Sequence, residues 1–212
     1  MDSADEAEEY DRIDHREVNE RFVADFLSAR RLAVTASRVV VDVGAGTARV
    51  PIALCRAWNG SRVLAVDMAT SMLRVGVENV RGTTFSSRII CTLADARRLP
   101  LADGAAPFVI SNSLIHHIAD AGTVLEEMCR VTATGGVLFV RDLFRPDSDA
   151  AVEQLVSRYA AYETPVQRSL FEASLRAALT CDEVRDIVSR LPLCDATVVA
   201  TSDRHWTLRA IR

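Results

Sequence analysis

Apolar positions along this chain follow two periods, and the elements change where the period changes. Val39 to Val43 is apolar apart from Asp42, the β-branched signature of a strand buried on both faces. It breaks into Gly44-Ala45-Gly46, and a helical pattern then runs from Ala48 to about Trp58, with Pro51 tolerable because it falls in the first turn. The alternation repeats. Arg62 to Val66 reads as a strand ending at Asp67, residues 89–95 as a third ending at Asp95, and Pro107 to Ile110 as a fourth leading into Ser111. A helix from Ala121 to Val131 and a Thr134-Gly135-Gly136 turn precede a fifth strand at Val137–Val140. Next come helices at Asp149–Tyr162 and Ser169–Leu179, separated by Pro165. Thr180 and Glu183 have capping-box spacing for a helix that starts at Cys181 and turns Val184, Ile187 and Val188 inward. Strands at Ala196–Thr201 and Trp206–Ile211 close the chain. Upstream, Tyr10 to about Ala33 is helical with Val18, Phe22, Phe26 and Leu27 on one face, and the first nine residues are too charged to bury anything and are expected to stay disordered.

Such βα alternation requires an α/β fold: a doubly wound, mostly parallel seven-stranded sheet with helices on both faces. Only Ser202 to His205 separate the last two strands, too few residues for a crossover, so the final strand must be antiparallel. The penultimate strand then ends at the carboxyl edge, where open α/β sheets bind ligands. The same edge receives Ser111 to His117 after the fourth strand, Arg141-Asp142 after the fifth, and the turn carrying Asp203, Arg204 and His205.

The glycine turn indicates the ligand's chemistry. Gly44 and Gly46 let a ligand approach bare backbone, and a carboxylate at Asp67 can accept both ribose hydroxyls of an adenosine compound. Arg49 stands where the dinucleotide fingerprint wants glycine or alanine. Gly44-x-Gly46-x-Ala48, with Asp42 two residues before it, resembles the loop of class I S-adenosylmethionine (SAM)-dependent methyltransferases, alanine replacing the third glycine. Asp95-Ala96 resembles that family's adenine loop, and residues 107–118 are similar to the ubiquinone and menaquinone biosynthesis (type 11) group. The resemblance covers about residues 39–142 closely and the rest loosely. It implies a Rossmann-like fold and SAM as cofactor, with Asp42, Gly44, Ala45, Gly46, Asp67, Met68, Asp95, Ala96 and Ser111 as binding residues. It further implies that residues 1–38 are a tail and cleft-covering helix, that 39–212 are the methyltransferase domain, and that 146–179 are a substrate lid.

Composition narrows the chemistry further. A chain of 212 residues with 49% hydrophobic content supports one substantial core. All 25 basic residues are arginine, which removes Schiff-base chemistry, a Walker lysine and the Tyr-x-x-x-Lys pair of short-chain dehydrogenases. Net charge of −4 with dispersed arginines does not indicate a nucleic-acid footprint. The sequence has no long uncharged apolar stretch, and its acidic start does not fit a signal peptide, so a cytoplasmic protein is expected. Five scattered cysteines read as reduced core thiols. His15, His116, His117 and His205 lack metal-ligand spacing, so no metal is expected.

The expected reaction is metal-free methyl transfer to carbon or oxygen of a small molecule. The Asp/Asn-Pro-Pro-Tyr/Phe motif used for nitrogen methylation in relatives is missing after the fourth strand, and Ser111 stands where the Mg-dependent catechol type has aspartate. His117 or His205 is expected to take the acceptor's proton, Asp142 to orient that histidine, and Arg204 to hold an anionic part of the substrate. The structural alternative is an Asp142–Arg204 pair that merely closes the cleft. Two other functions carry weight: an NAD-dependent oxidoreductase and a non-catalytic SAM-binding module. The acceptor and the oligomeric state are not legible.

Overall fold

The computed structural model describes residues 3–13, 15–33, 35–161 and 163–212. Among these residues seven strands form one sheet: β1 (Val39–Val43), β2 (Arg62–Asp67), β3 (Ile89–Leu93), β4 (Ala106–Asn112), β5 (Thr132–Leu143), β6 (Cys194–Ala200) and β7 (His205–Ile211). Their order is β3-β2-β1-β4-β5-β7-β6. The β1–β2, β1–β4, β2–β3 and β4–β5 pairs are parallel, and β7 runs antiparallel to both β5 and β6. Chain order reverses between β1 and β4, which makes their carboxyl ends, beside the glycine loop, the switch point where sheets of this kind bind ligands.

Among the described residues, eight helices surround the sheet: α1 (Ala4–Arg12), α2 (Arg16–Ala29), α3 (Arg49–Ala57), α4 (Thr70–Arg81), α5 (Ala121–Val131), α6 (Asp149–Tyr159), α7 (Pro165–Ala177) and α8 (Cys181–Val188), with 3-10 turns at Arg30–Leu32 and Ile115–His117. One core combines Leu125 and Met128 of α5 and Val184 and Val188 of α8 with Leu138, Trp206 and Leu208 of the sheet. The other combines Phe22 and Phe26 of α2 and Leu54 and Trp58 from the α3 region with Phe108 and Phe139. Each fully buried large side chain contributes roughly 1.5–3 kcal/mol of transfer free energy. These two cores fix the sheet and hence its carboxyl edge.

Several expectations are corrected. Residues 3–9 of the acidic start belong to a capped helix, and residues 1–2 lie outside the described residues: Ser3 accepts the Glu6 N–H as N-cap of α1, whose charges face outward while Ala7 is buried against α4. The helix expected from Tyr10 to Ala33 is two helices. Val18 lies off the buried stripe, which is Asn19, Phe22, Val23, Phe26 and Ala29 at three- and four-residue steps, and α2 packs on α3 and β5. Pro165 does not break a helix; it begins α7 at N1, behind a capping box between Thr164 and Gln167. α6 ends at Tyr159, and Tyr162, its expected end, lies outside the described residues. β5 begins at Thr132, because a bulge between the Ala106↔Thr132 and Phe108↔Val137 pairings absorbs the glycine turn. A Cβ on Gly136 would lie 2.6 Å from the Pro107 carbonyl oxygen, so only glycine fits there. Cys194 is exposed, and all five thiols are free.

Candidate functional site

The loop from Gly44 to Ala48 sits at the reversal point. Gly44, Gly46 and Ala48 all have positive φ, at 78°, 52° and 61°. Ala48 replaces glycine at a left-handed position, a strain of about 1–2 kcal/mol, with its side chain fully buried. The Gly44 and Ala45 N–H groups donate to the Val66 carbonyl at 2.8 and 2.9 Å. Asp67 is fixed in turn, accepting from the Gly46 N–H through Oδ2 and the Ala69 N–H through Oδ1, both at 2.8 Å. A Cβ on Gly44 would meet Leu114 at 2.8 Å, and one on Gly76 would meet the Gly46 carbonyl at 3.1 Å. Leu114 and α4 therefore press directly on the loop.

Behind the loop lies Asp42, 1% exposed, whose Oδ2 has no hydrogen-bond partner. Burial first, and then the nearby Asp67 charge, push its carboxyl up to about 8. A buried carboxyl group with an unpartnered oxygen beside a second carboxylate is suited to a cationic ligand, and the glycine turn admits one close to the backbone.

The element across the loop is α1. Asp11 accepts two bonds from Arg49, Nε to Oδ1 at 2.8 Å and an outer guanidinium nitrogen to Oδ2 at 2.5 Å, and a third from Asn79 at 2.9 Å. Burial works against the Asp11 charge, but these partners and Thr47 outweigh it and hold the carboxyl low. Asn79 also donates to the Thr47 carbonyl at 3.0 Å. Tyr10 comes near Asp67, and burial, Asp11 and Asp67 raise its hydroxyl. Sequence reasoning missed Tyr10 and Asp11, whose only signal was α1's helical period, and Asn79 of α4.

The other cofactor candidates are unequal. Asp95 is bound by Arg97 through both side chain and backbone N–H, Ala96 is buried, and Met68 is 62% exposed. The buried Ser111 hydroxyl donates to the Val43 carbonyl at 2.7 Å, which ties β4 to β1 and commits that side chain to the scaffold.

The expected catalytic group also rearranges. Fully buried Asp142 meets His116, not His117: His116 Nδ1 lies 2.5 Å from Oδ1. The Leu143 N–H also donates to Oδ1 at 2.7 Å, and the Ile115 N–H donates to Oδ2 at 2.5 Å. His117 is exposed and packs against His116, with ring centroids 3.9 Å apart and ring planes tilted by 44°. Tight 3-10 winding at Ile115–His117 presents His116 rather than its neighbour to Asp142, which adjacency alone could not reveal. His205 lies near Asp142 but bonds Ser202 at 2.9 Å. Burial, then Arg204 and Arg141, lower its imidazole to about 4, leaving it neutral at pH 7.

Arg204 lies 3.5 Å over the Tyr159 ring and reaches Asp203, with no bond to Asp142. The alternative Asp142–Arg204 pair is thus absent, and Arg204 is already engaged by protein groups. Arg141 instead bonds Asp25 at 2.7 Å and Thr207 at 2.9 Å. Above the 3-10 turn, α7 packs against Ile115–His117, and α6 and α7 share a small core around Leu155 and Leu175. Among the described residues no cluster of metal-ligating side chains occurs, and no helix is long and apolar enough to cross a membrane.

A doubly wound sheet with a reversed last strand and an acid-flanked glycine loop at its reversal point defines the class I methyltransferase type of fold. Residues 41–140 match the family model described as "Methyltransferase domain". It is 35% identical over 111 residues to the malonyl-[acyl-carrier protein] O-methyltransferase of Xylella fastidiosa, covering 52% of this chain and 36% of that one. It is 31% identical over 138 residues to the demethylmenaquinone methyltransferase of Porphyromonas gingivalis, covering 65% and 56%. The chain thus spans about a third to just over half of these relatives' lengths. A Methanococcus maripaludis protein, solved as a candidate SAM-dependent methyltransferase, shares the fold with a TM-score of 0.78 at 15% identity, covering 100% of this chain and 94% of that one.

Proposed function

We propose that this protein is a SAM-dependent methyltransferase acting on carbon or oxygen of a small molecule, without a metal. The observation that carries the reading is Asp42, a buried carboxyl group with an orphaned oxygen directly behind a glycine loop of the matched family. Gly44, Ala45 and Gly46 would cradle SAM, and Asp67, preset by two backbone donors, would accept the ribose hydroxyls. Asp95, Ala96 and Met68 would border the adenine, and Ser111 would contribute through its backbone. When bound, SAM supplies a methyl group already activated on a sulfonium, so the chain's own residues need to align the acceptor, exclude water and accept a proton.

The α6–α7 segment, within residues 146–179, serves as the lid over the acceptor because α7 rests on the 3-10 turn. Arg204, engaged by Tyr159 and Asp203, fits a wall of the cleft better than an anion clamp. The acceptor is a small molecule rather than nucleic acid, and the protein works in the cytoplasm. The test is incubation with methyl-labelled SAM and a cell extract, fractionated by mass. Label is expected in a low-molecular-weight fraction. Comparable turnover on transfer or ribosomal RNA would contradict the reading.

A further inference from the structure

We infer that His116 is the proton acceptor of the transfer, positioned by Asp142, and that the methyl acceptor is a protic group such as a phenol, hydroquinone or enol, not a carboxylate. The inference rests on the methyltransferase reading and assigns its base and substrate class. Asp142 is fully buried with donors on both oxygens: the Leu143 N–H and His116 on Oδ1, and the Ile115 N–H on Oδ2. A carboxylate so surrounded acts as acceptor only, so the proton shared with His116 sits on the imidazole Nδ1. The other nitrogen, Nε2, then carries a free lone pair. It makes no hydrogen bond among the described residues and is not sealed from solvent.

Placement supports the role. His116 stands on the turn that follows β4, at the sheet's reversal point. Two residues earlier in that turn, Leu114 presses on Gly44 of the cofactor loop. The lid helix α7 covers the turn, and only 6% of the His116 side chain is exposed, so the imidazole is sheltered from bulk water. His117 and His205 do not bond this carboxylate: the first packs against His116 and the second bonds Ser202.

The chemistry selects the acceptor. As the acceptor atom bonds to the methyl carbon, the methyl–sulfur bond breaks with its electron pair remaining on sulfur. The proton leaving the acceptor's hydroxyl passes to His116 Nε2 and from there to water. A carboxylate acceptor has already lost its proton and gives such a base no task. The two kinds of relatives differ here, one named for O-methylation of a malonyl group and the other for demethylmenaquinone. The buried pair favours the acceptor chemistry of the second.

Nitrogen-15 NMR of histidine-labelled protein tests the pair without cofactor. The expected result is a His116 ring locked as the Nδ1–H tautomer, with a slowly exchanging proton that is lost in Asp142→Asn. An Nε2–H tautomer, or a ring unaffected by that substitution, would overturn the pair. Transfer assays then use 1,4-naphthohydroquinone and malonyl-N-acetylcysteamine as probes. Methylation of the hydroquinone is expected, with turnover falling about 10²–10⁴-fold in His116→Gln and SAM affinity unchanged. Asp142→Asn should move the acid limb of the pH–rate profile. Turnover on the malonyl thioester, or on neither probe, would overturn the acceptor class, and undiminished turnover in His116→Gln would overturn the base. Failure of the parent to bind SAM would instead strike the underlying methyltransferase reading, while NMR would still judge the pair.

Discussion

At Asp42 the fold holds a proton that the unfolded chain would release near pH 4. The carboxyl is raised to about 8, so its contribution to stability is fully present below the unfolded value and is lost as pH rises through 8. The expected slope is up to about 1.4 kcal/mol per pH unit across that window. Without cofactor, the melting temperature should fall from pH 5 to pH 9 and should fall less steeply in Asp42→Asn. Equal slopes in parent and variant would show that Asp42 is ionised in the folded protein. His205 acts in the opposite direction: its value of about 4 lies below the unfolded one, so its contribution is present above about 6.5 and is lost as pH falls through 4. A cationic ligand should draw the proton from Asp42, so calorimetry of SAM in buffers of different ionisation enthalpy should record proton release near pH 7. Identical heats in all buffers would contradict that coupling.

Between elements, the critical contacts are those holding α1 and α4 to the glycine loop. Arg49, the residue that departs from the dinucleotide fingerprint, is committed to Asp11 of α1. Its side chain is half-exposed, so Arg49→Ala should cost on the order of 1 kcal/mol, read as faster hydrogen exchange confined to α1. Acceleration spread over the sheet would assign Arg49 a global role instead. Gly76→Ala would bring a methyl to 3.1 Å from the Gly46 carbonyl and should weaken SAM binding about tenfold with little loss of melting temperature. Unchanged affinity would show that the loop tolerates the shift. The strands bordering the loop were legible because β-branched runs and glycine breaks are local signals: β1, β2 and α5 fall at or within a residue or two of their expected bounds. α1 was not, since its charge density concealed the spacing of Ala7, Tyr10 and Asp11. Pro165 is read equally well as a break or as N1, and the choice depends on Thr164 and Gln167 around it. The pairing of Asp142 with His116 depended on a 3-10 turn that no hydrophobic period encodes.

Over the whole molecule, the sheet order brings the glycine loop, the His116 turn and the β6–β7 turn to one edge, although residues 44 and 205 lie far apart in sequence. Strand direction made that edge predictable, because a four-residue link between the last strands permits only an antiparallel pair. The individual side-chain partners at the edge depended on packing and were not predictable in the same way. All of these parts bear on one claim, that the reversal point binds SAM with Asp67 on its ribose. Titration calorimetry of SAM into the parent protein and into Asp67→Ala tests it most directly. Removing a charged acceptor of two hydroxyl hydrogen bonds should cost roughly 1.5–3 kcal/mol, about 10- to 150-fold in affinity, with the fold retained. Equal SAM affinity in parent and variant, or tight binding of NAD by the parent, would contradict the account.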